Sequence, residues 1–470
     1  MCSRGSQCVS LSVVCRLTLP ASPTISKLAI TCISAVIIGC ASPVEAQIIH
    51  QDHKLLASDG APGDRLGDAV DIDNGIVVLG AWQHDELGSN SGAAYLYNAT
   101  TGDQLRKLVA DNGQADDHFG FSVGIDDQTV AIGANGNGTV YLFDADTGDQ
   151  LHAISSPSKS GSKLGGDGFG RSLAIDAGLL IVGAPFDDAL GANTGAAYIF
   201  DATTGALLHT LIADDRAAGD GFGLSVAIDG GLAIIGAWND DDLGSNSGSA
   251  YIFHTSTGEQ LHKITASDAQ PNDWFGIAVA IDQQIVGVGA RMDDDLGDTS
   301  GSAYLFDATT GTQLHKLNAQ DGAAGDLFGA SIALDDGLAI VGAYHDDDAG
   351  INSGSAYLFD TQTGLQRAKL LPEVGNIDDF FGIKVAIDQG VMAVGARWDQ
   401  DNGTAAGAGY IFDGSCPADM TNDRLLDFFD ISAFIDAFAE HDSRADFTDD
   451  GQFDFFDVSK FLDLFAQHCP

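Results

Sequence analysis

Fourteen glycines in one fixed register constrain this chain more than any other feature of its sequence. The first set is Gly67, Gly120, Gly170, Gly223, Gly276, Gly329 and Gly382, spaced 53, 50, 53, 53, 53 and 53 residues apart. The second set, Gly80, Gly133, Gly183, Gly236, Gly289, Gly342 and Gly395, follows the first at the same offset in every copy. Local propensity cannot hold a period of this length. Each copy must be one supersecondary unit whose faces are covered by its neighbours, so a chain long enough for about three ordinary domains reads instead as one repeat array.

Within a copy the segments are short and β-favouring. Residues 225–229 (SVAID), 232–237 (LAIIGA), 249–253 (SAYIF) and 260–264 (QLHKI) are separated by turn residues such as the Asp-Gly and Thr-Gly pairs. Four strands in a repeat of about 50 residues is the pattern of a propeller blade. Six copies end in a fourth strand like that at 314–317, but the seventh stops after Tyr410, Ile411 and Phe412. The segment 53–59 (HKLLASD) matches 262–268 (HKITASD) and precedes the first copy without a blade of its own. It is expected to complete the seventh blade and remove two open sheet edges. The fold class expected is an all-β seven-bladed β-propeller followed by a small α-helical EF-hand pair. The expected boundaries are a signal peptide at 1–46, the propeller at 47–414 and a calcium-binding module at 415–470.

Phe-Gly at 119, 169, 222, 275, 328 and 381, and Gly-Ala at all seven second positions, resemble the FG-GAP repeat family, which includes the propeller of integrin α subunits, over residues 50–413. Gly-Ala-Pro itself occurs at 183–185. The family's integrin members hold calcium in acidic loops between the first two strands; here those hairpins are short turns such as Asp229-Gly230-Gly231, so that site is not carried over. The turns at 201–205 and 307–311 also look like those of quinone-enzyme propellers, whose tryptophan signature is missing.

With 21 Lys and Arg against 67 Asp and Glu, the net charge is −46. Such a surface repels phosphate backbones and disfavours nucleic acid as a partner. Five of the seven cysteines fall at or before Cys40, beside an apolar run from Leu28 to Gly39 and small residues at 44–46, the pattern of a secretion signal cleaved after Ala46. Residues 37–40 (IIGC) also resemble a lipoprotein box that would lipidate Cys40. No apolar stretch approaches the ~20 residues of a membrane-spanning helix. The expected location is secreted or cell-surface.

Two acidic sets recur on the propeller. Asp64, Asp117, Asp167, Asp220, Asp273, Asp326 and Asp379 each stand three residues before a first-set glycine, where a carboxylate accepts backbone N–H groups of a turn. The other set follows the second strand: Asp187, Asp188, Asp240 to Asp242, Asp293 to Asp295, Asp346 to Asp348, Asp399 and Asp401. These read as solvated loops, or as oxygen ligands for a cation in no defined metal-loop spacing. The residue after each Gly-Ala differs between copies: Trp82, Asn135, Pro185, Trp238, Arg291, Tyr344, Arg397. Trp82, Trp238, Arg291, Tyr344 and Arg397 form a candidate rim for a protein or glycan ligand, or else pack the loops. The second copy shortens its loop between Gly133 and Tyr141, leaving a notch. His209, His262 and His315 recur at one fourth-strand position and read as structural. No nucleophile motif, HExxH or phosphate loop is present.

After Gly414 the composition changes to Asp and Phe. Asp419, Thr421, Asp423, Asp427 and Asp430, and again Asp446, Thr448, Asp450, Asp454 and Asp457, stand at positions 1, 3, 5, 9 and 12 of an EF-hand loop, with the carbonyls of Leu425 and Gln452 at position 7. Arg424 replaces the usual glycine of the first loop, which should make it the weaker site. Ile431, Phe434, Ile435, Phe438 and Val458, Phe461, Leu462, Phe465 follow helical spacing and are expected to pack together. The paired loops resemble dockerin modules. That resemblance implies bound Ca2+ and a cohesin-like partner docking near Phe428, Phe429, Phe455 and Phe456, which equally suit a core. Cys416 and Cys469 bracket the module and could pair in an exported protein. The function expected is a non-catalytic surface or secreted binding protein, with an extracellular propeller hydrolase or lyase of polysaccharide as the alternative.

Overall fold

The computed structural model describes residues 47–158, 166–414, 418, 420–421, 428–448 and 451–466. The signal segment with Cys40, and the pair Cys416 and Cys469, lie outside the described residues. The described strands form seven sheets, one for each copy of the repeat, two of them completed by a strand from the N-terminal segment. In the fourth blade, Ser225–Asp229, Leu232–Ala237, Ser249–His254 and Glu259–Ile264 make an antiparallel meander in that order.

The glycine register has a direct steric cause at the blade contact. A Cβ on Gly236 would lie 2.0 Å from the carbonyl oxygen of Gly276 in the next blade, and Gly276 itself has φ +87°. The same close approach joins Gly395 of the last blade to the Gly67 carbonyl of the first, at 1.9 Å, which closes the ring. Only residues without a side chain let two backbones meet so closely. In six of the seven copies the Phe of the Phe-Gly step is buried against third-strand aromatics, as Phe275 is edge-on to Tyr304 and Phe306 at 5.5 and 5.8 Å, and buried Leu66 takes its place in the first. Each buried phenylalanine contributes about 2 to 3 kcal/mol from burial alone. Fourth-strand histidines tie neighbouring blades: Nε2 of His262 is 2.8 Å from the Thr309 carbonyl oxygen and that of His315 is 3.0 Å from the Gln362 carbonyl oxygen, consistent with a structural role.

The N-terminal strand closes the seventh blade as expected. Strand β2, His53–Leu55, pairs antiparallel with Ala408–Asp413, setting Lys54 opposite Tyr410. Strand geometry stops at Leu55 and not at residue 59, because the chain then turns, with Gly60 N–H donating to the Ala57 carbonyl, to deliver Asp59 to the first blade. One element was not foreseen. Strand β1, Gln47–His50, adds to the outer edge of the sixth blade in parallel with Gln366–Leu371.

Beyond the propeller lie helices α1, Phe428–Glu440, and α2, Phe455–Ala466. Phe434 stacks face to face on Phe461, ring centroids 4.0 Å apart, in a core with Ala437, Ala445 and Phe447. The expected stripe is corrected in two places: Ile435 and Leu462 are 57% and 50% exposed. The inner stripe runs instead through Phe434, Ala437 and Phe438, one helical step away. No helix among the described residues is long and apolar enough to cross a membrane.

Candidate binding site in the axial channel

The aspartates three residues before the first-set glycines are buried and order the connections between blades. Asp220 accepts the Ala217 N–H at 2.6 Å, and Asp273, Asp326 and Asp379 accept the equivalent N–H of Gln270, Ala323 and Asn376. Burial, with the charges of Asp293, Asp346 and Asp399 adding to it, outweighs these hydrogen bonds and pushes Asp273, Asp326 and Asp379 up to about 6.

The loops after the second strands are tied into the scaffold rather than loosely solvated, and in four of them a lysine ammonium stands between the carboxylates. The first aspartate of each is buried and accepts a third-strand tyrosine hydroxyl: Asp187 from Tyr198, Asp240 from Tyr251, Asp293 from Tyr304, Asp346 from Tyr357, Asp399 from Tyr410. The middle acid caps its own loop, as Asp241 does by accepting the Asn246 N–H at 2.7 Å. The ammonium of a fourth-strand lysine fills the space between carboxylates. Lys263 is 2.7, 3.0 and 2.6 Å from Asp215, Asp240 and Asp242; Lys316 holds Asp268, Asp293 and Asp295, and Lys369 holds Asp321, Asp346 and Asp348. Lys54 of β2 makes the same clamp with Asp399 and Asp401. Burial opposes the charge, yet the carboxylates prevail and hold Lys263, Lys316 and Lys369 above the usual lysine value. In the first blade His84 replaces the buried aspartate. Lys107 Nζ lies 2.8 Å from its Nε2, and an ammonium can only donate, so Nδ1 carries the hydrogen given to Asp64 at 2.9 Å. Among the described residues, the two groups of acidic and histidine side chains close enough for a metal, Asp59 with His84 and Glu86, and Asp215 with Asp240 and Asp242, are these lysine-filled clamps.

Against this constant scaffold, the residues that differ between copies gather at the axis. A cavity of about 570 Å³ runs along the innermost strands, and its lining includes Arg65, Arg171, Arg291, Arg397 and Lys384. Two acids, Asp68 and Asp71, also line it. Of the expected rim, Trp82, Arg291 and Arg397 line this cavity; Tyr344 is 7% exposed and packed against Ala330 and Ile383, and Trp238 packs on Trp274 at 4.8 Å. The guanidinium groups lie over aromatic rings: Arg65 over Trp82 at 5.1 Å, Arg171 over Phe121 at 5.3 Å, Arg291 over Trp274 at 5.0 Å and Arg397 over Phe380 at 5.5 Å. Lys384 is exposed to the channel although protein surrounds it, and that burial lowers its pKa, against the charge of Asp68 and with the charges of Arg291, Arg171 and Arg397 adding to it. The same two causes, burial and the charges of Arg397 and Arg291, lower that of His345. Arg65, Arg171 and Lys384 escaped the sequence reading. Their signal was the same as for the rim, variation between copies at a fixed register position. Where Lys384 stands, two residues after the first-set glycine, the other copies carry Ala69, Ser122, Ser172, Ser225, Ala278 and Ser331.

In the tail, the two loops repeat one geometry. The N–H and hydroxyl of Thr421 donate to Asp430 at 3.0 and 2.9 Å, and those of Thr448 donate to Asp457 at 3.1 and 3.0 Å. Positions 3 and 12 therefore meet in both loops, through carboxylates that are fully buried. Asp446 accepts the Gly451 N–H, and Asp454 lies beside Asp457, whose second oxygen accepts the Asp454 N–H at 2.9 Å. This oxygen-rich donor set is of the kind a hard cation takes. Asp419, Asp423, Leu425, Asp427 and Asp450 lie outside the described residues. Phe429, Phe455 and Phe456 are 65%, 75% and 66% exposed, so these three are not core.

The FG-GAP repeat model matches residues 49–97, 103–147, 163–200, 208–253, 259–306, 312–359 and 365–412, more than half of the chain and one match per blade. The chain belongs to the FG-GAP repeat family, as a seven-bladed β-propeller. No curated protein matches it. Among solved structures it is similar to the computationally designed Ika8 protein, at 15% identity and a TM-score of 0.46, over 77% of this chain and 99% of that one.

Proposed function

We propose that this chain is a secreted or cell-surface, non-catalytic binding protein whose propeller takes a protein or glycan ligand at the mouth of its axial channel. The observation that carries this reading is the division of labour between copies. Residues repeated in every blade are used up in the scaffold, whereas Trp82, Arg65, Arg171, Arg291, Lys384 and Arg397 vary between copies and converge on one cavity. Aromatic faces beside forked donors concentrate binding energy. The C-terminal module is read as a calcium-stabilised, dockerin-like pair of loops. Each loop would hold one ion, Asp446, Asp454 and Asp457 serving in the second loop and Asp419, Asp427 and Asp430 in the first, and the ions would fix the loops against the helices. Its exposed phenylalanines suit a cohesin-like partner that attaches the propeller to an assembly.

One observation favours the polysaccharide hydrolase or lyase alternative. Asp71, within the channel, is pushed up to about 7 by burial, against the Ile125 N–H it accepts, and could exchange a proton near neutrality. A glycan array run beside a turnover screen on acidic and neutral polysaccharides separates the two. Retention without product supports the binding reading, and turnover abolished by Asp71→Asn overturns it. For the tail, calcium is expected to increase helical circular dichroism of the full chain relative to EDTA; identical spectra would remove the metal.

A further inference from the structure

We propose that the axial channel is an anion-binding site, built for a carboxylate- or sulfate-bearing saccharide of about one or two rings. The inference rests on the binding reading above and assigns the chemistry of its ligand.

Charge distribution carries the argument. A chain of net charge −46 places five basic side chains and two carboxylates along one cavity. Among the described residues of the propeller, every other lysine is held by carboxylates, three of them around each of Lys263, Lys316 and Lys369. In the channel the pairing fails. Arg397 reaches Asp68 at 3.3 Å, while Arg65, Arg171, Arg291 and Lys384 make no ion pair among the described residues. The Nε atoms of Arg291 and Arg397 are buried with no hydrogen-bond partner among the described residues. The described residues therefore supply no acceptor to either Nε, and the guanidinium charge of these two arginines is balanced at most by Asp68. Cation–π contact with Trp82, Phe121, Trp274 and Phe380 helps to position the four guanidinium groups before any ligand arrives. Lys384 stands where the other six blades have alanine or serine, so the scaffold itself does not require a cation there.

Size and field then restrict the ligand. A volume of about 570 Å³ falls within the range for small-ligand pockets, roughly 300 to 1,000 Å³. The acidic exterior repels a long polyanion, so the attractive enclave selects a short acidic molecule or the end of a chain. Aromatic faces beside the cations suit the apolar face of a sugar ring.

Isothermal titration of the full chain with digalacturonate, a sulfated disaccharide of equal size, a neutral disaccharide and inorganic sulfate tests the proposal. The expected result is binding of at least one acidic disaccharide, tenfold or more tighter than the neutral one. That binding should weaken with salt and weaken at least tenfold in both Lys384→Met and Arg291→Gln. The tighter of the two acidic sugars identifies the group as carboxylate or sulfate. Equal affinity for acidic and neutral sugars, inorganic sulfate binding as tightly as either disaccharide, or unchanged affinity in both variants would overturn the proposal. Unchanged melting temperatures of the variants separate lost binding from lost folding. A neutral sugar whose binding falls with Trp82→Ala but not with Lys384→Met leaves the binding function standing and removes the anion site. An acidic sugar converted to product does the reverse.

Discussion

Replacing Lys316 with methionine tests whether the fourth-strand lysines are structural cations. Methionine keeps most of the stem's volume, so the loss is chiefly electrostatic. At 3.1 Å and an effective dielectric constant of about 20, the attraction to Asp293 is roughly 5 kcal/mol before desolvation is subtracted. Asp268 and Asp295 are 42% and 43% exposed, and such pairs contribute about 1 kcal/mol or less each. The larger effect falls on Asp293, 3% exposed, which keeps only the hydroxyl donors Tyr304 and Ser302 and the N–H of Asp295. An unpaired buried charge costs about 3 to 5 kcal/mol; the retained hydrogen bonds place this case at the lower end, near 3 kcal/mol. Thermal unfolding should therefore fall by roughly 5 °C, given the entropy of a domain this large. Adding Asp293→Asn removes the stranded charge and should restore about half of the loss. Millimolar calcium should raise the melting temperature of Lys316→Met by filling the emptied carboxylate site, while leaving the wild-type propeller transition in place. A single variant within about 0.5 kcal/mol of wild type, the range of an ordinary surface substitution, would refute the reasoning. So would a double variant no better than the single.

Three further outcomes follow from the geometry. Gly236→Ala drives a Cβ to 2.0 Å from the Gly276 carbonyl and should abolish soluble expression or lower the melting temperature by more than about 10 °C, whereas Gly219→Ala, with φ +99° but open space around it, should cost about 1 kcal/mol. Asp71→Asn should stabilise far more at pH 8 than at pH 4, with the gain growing between about pH 4, where the unfolded carboxyl ionises, and pH 7. The folded pKa is raised to about 7, so between about pH 4 and 7 the native state holds a proton that the unfolded state has lost, and stability of the wild type falls as pH rises across that range until the native carboxyl ionises; melting curves at both pH values check this. Removing residues 47–55 should lower cooperativity of unfolding, because β2 pairs the two ends of the ring; removing 47–51 alone should change it little, and equal effects would contradict the assignment of closure to β2.

Much of the fold was legible because backbone contact leaves a compositional mark. Gly236 against Gly276 tolerates no side chain, so the register had to recur in every copy. The closing strand was legible from 53–59 because a fourth strand has its own sequence pattern. Strand β1 was not, since it has no counterpart in other copies and buries only Ile49 in the core beside its backbone pairing with the sixth blade. The lysine clamps were hidden for another reason. Lys263 meets Asp215 and Asp240, 48 and 23 residues away, and the second and third blades carry Ala153 and Thr210 where the lysine would stand, so periodicity did not reveal them. At the channel, one variable position was read and its neighbours were not. Trp82, Arg291 and Arg397 were found, while Tyr344, chosen by the same criterion, turned into the packing of Ile383 and Phe380.

Hydrogen exchange of the full chain, with and without digalacturonate, tests the central claim that the copy-specific residues at the axis form the binding site. Protection confined to peptides spanning residues 64–71, 168–173, 274–291 and 380–398 is the predicted result. Protection confined to the fourth strands at the periphery or to helices α1 and α2, or no protection at saturating ligand, would contradict it.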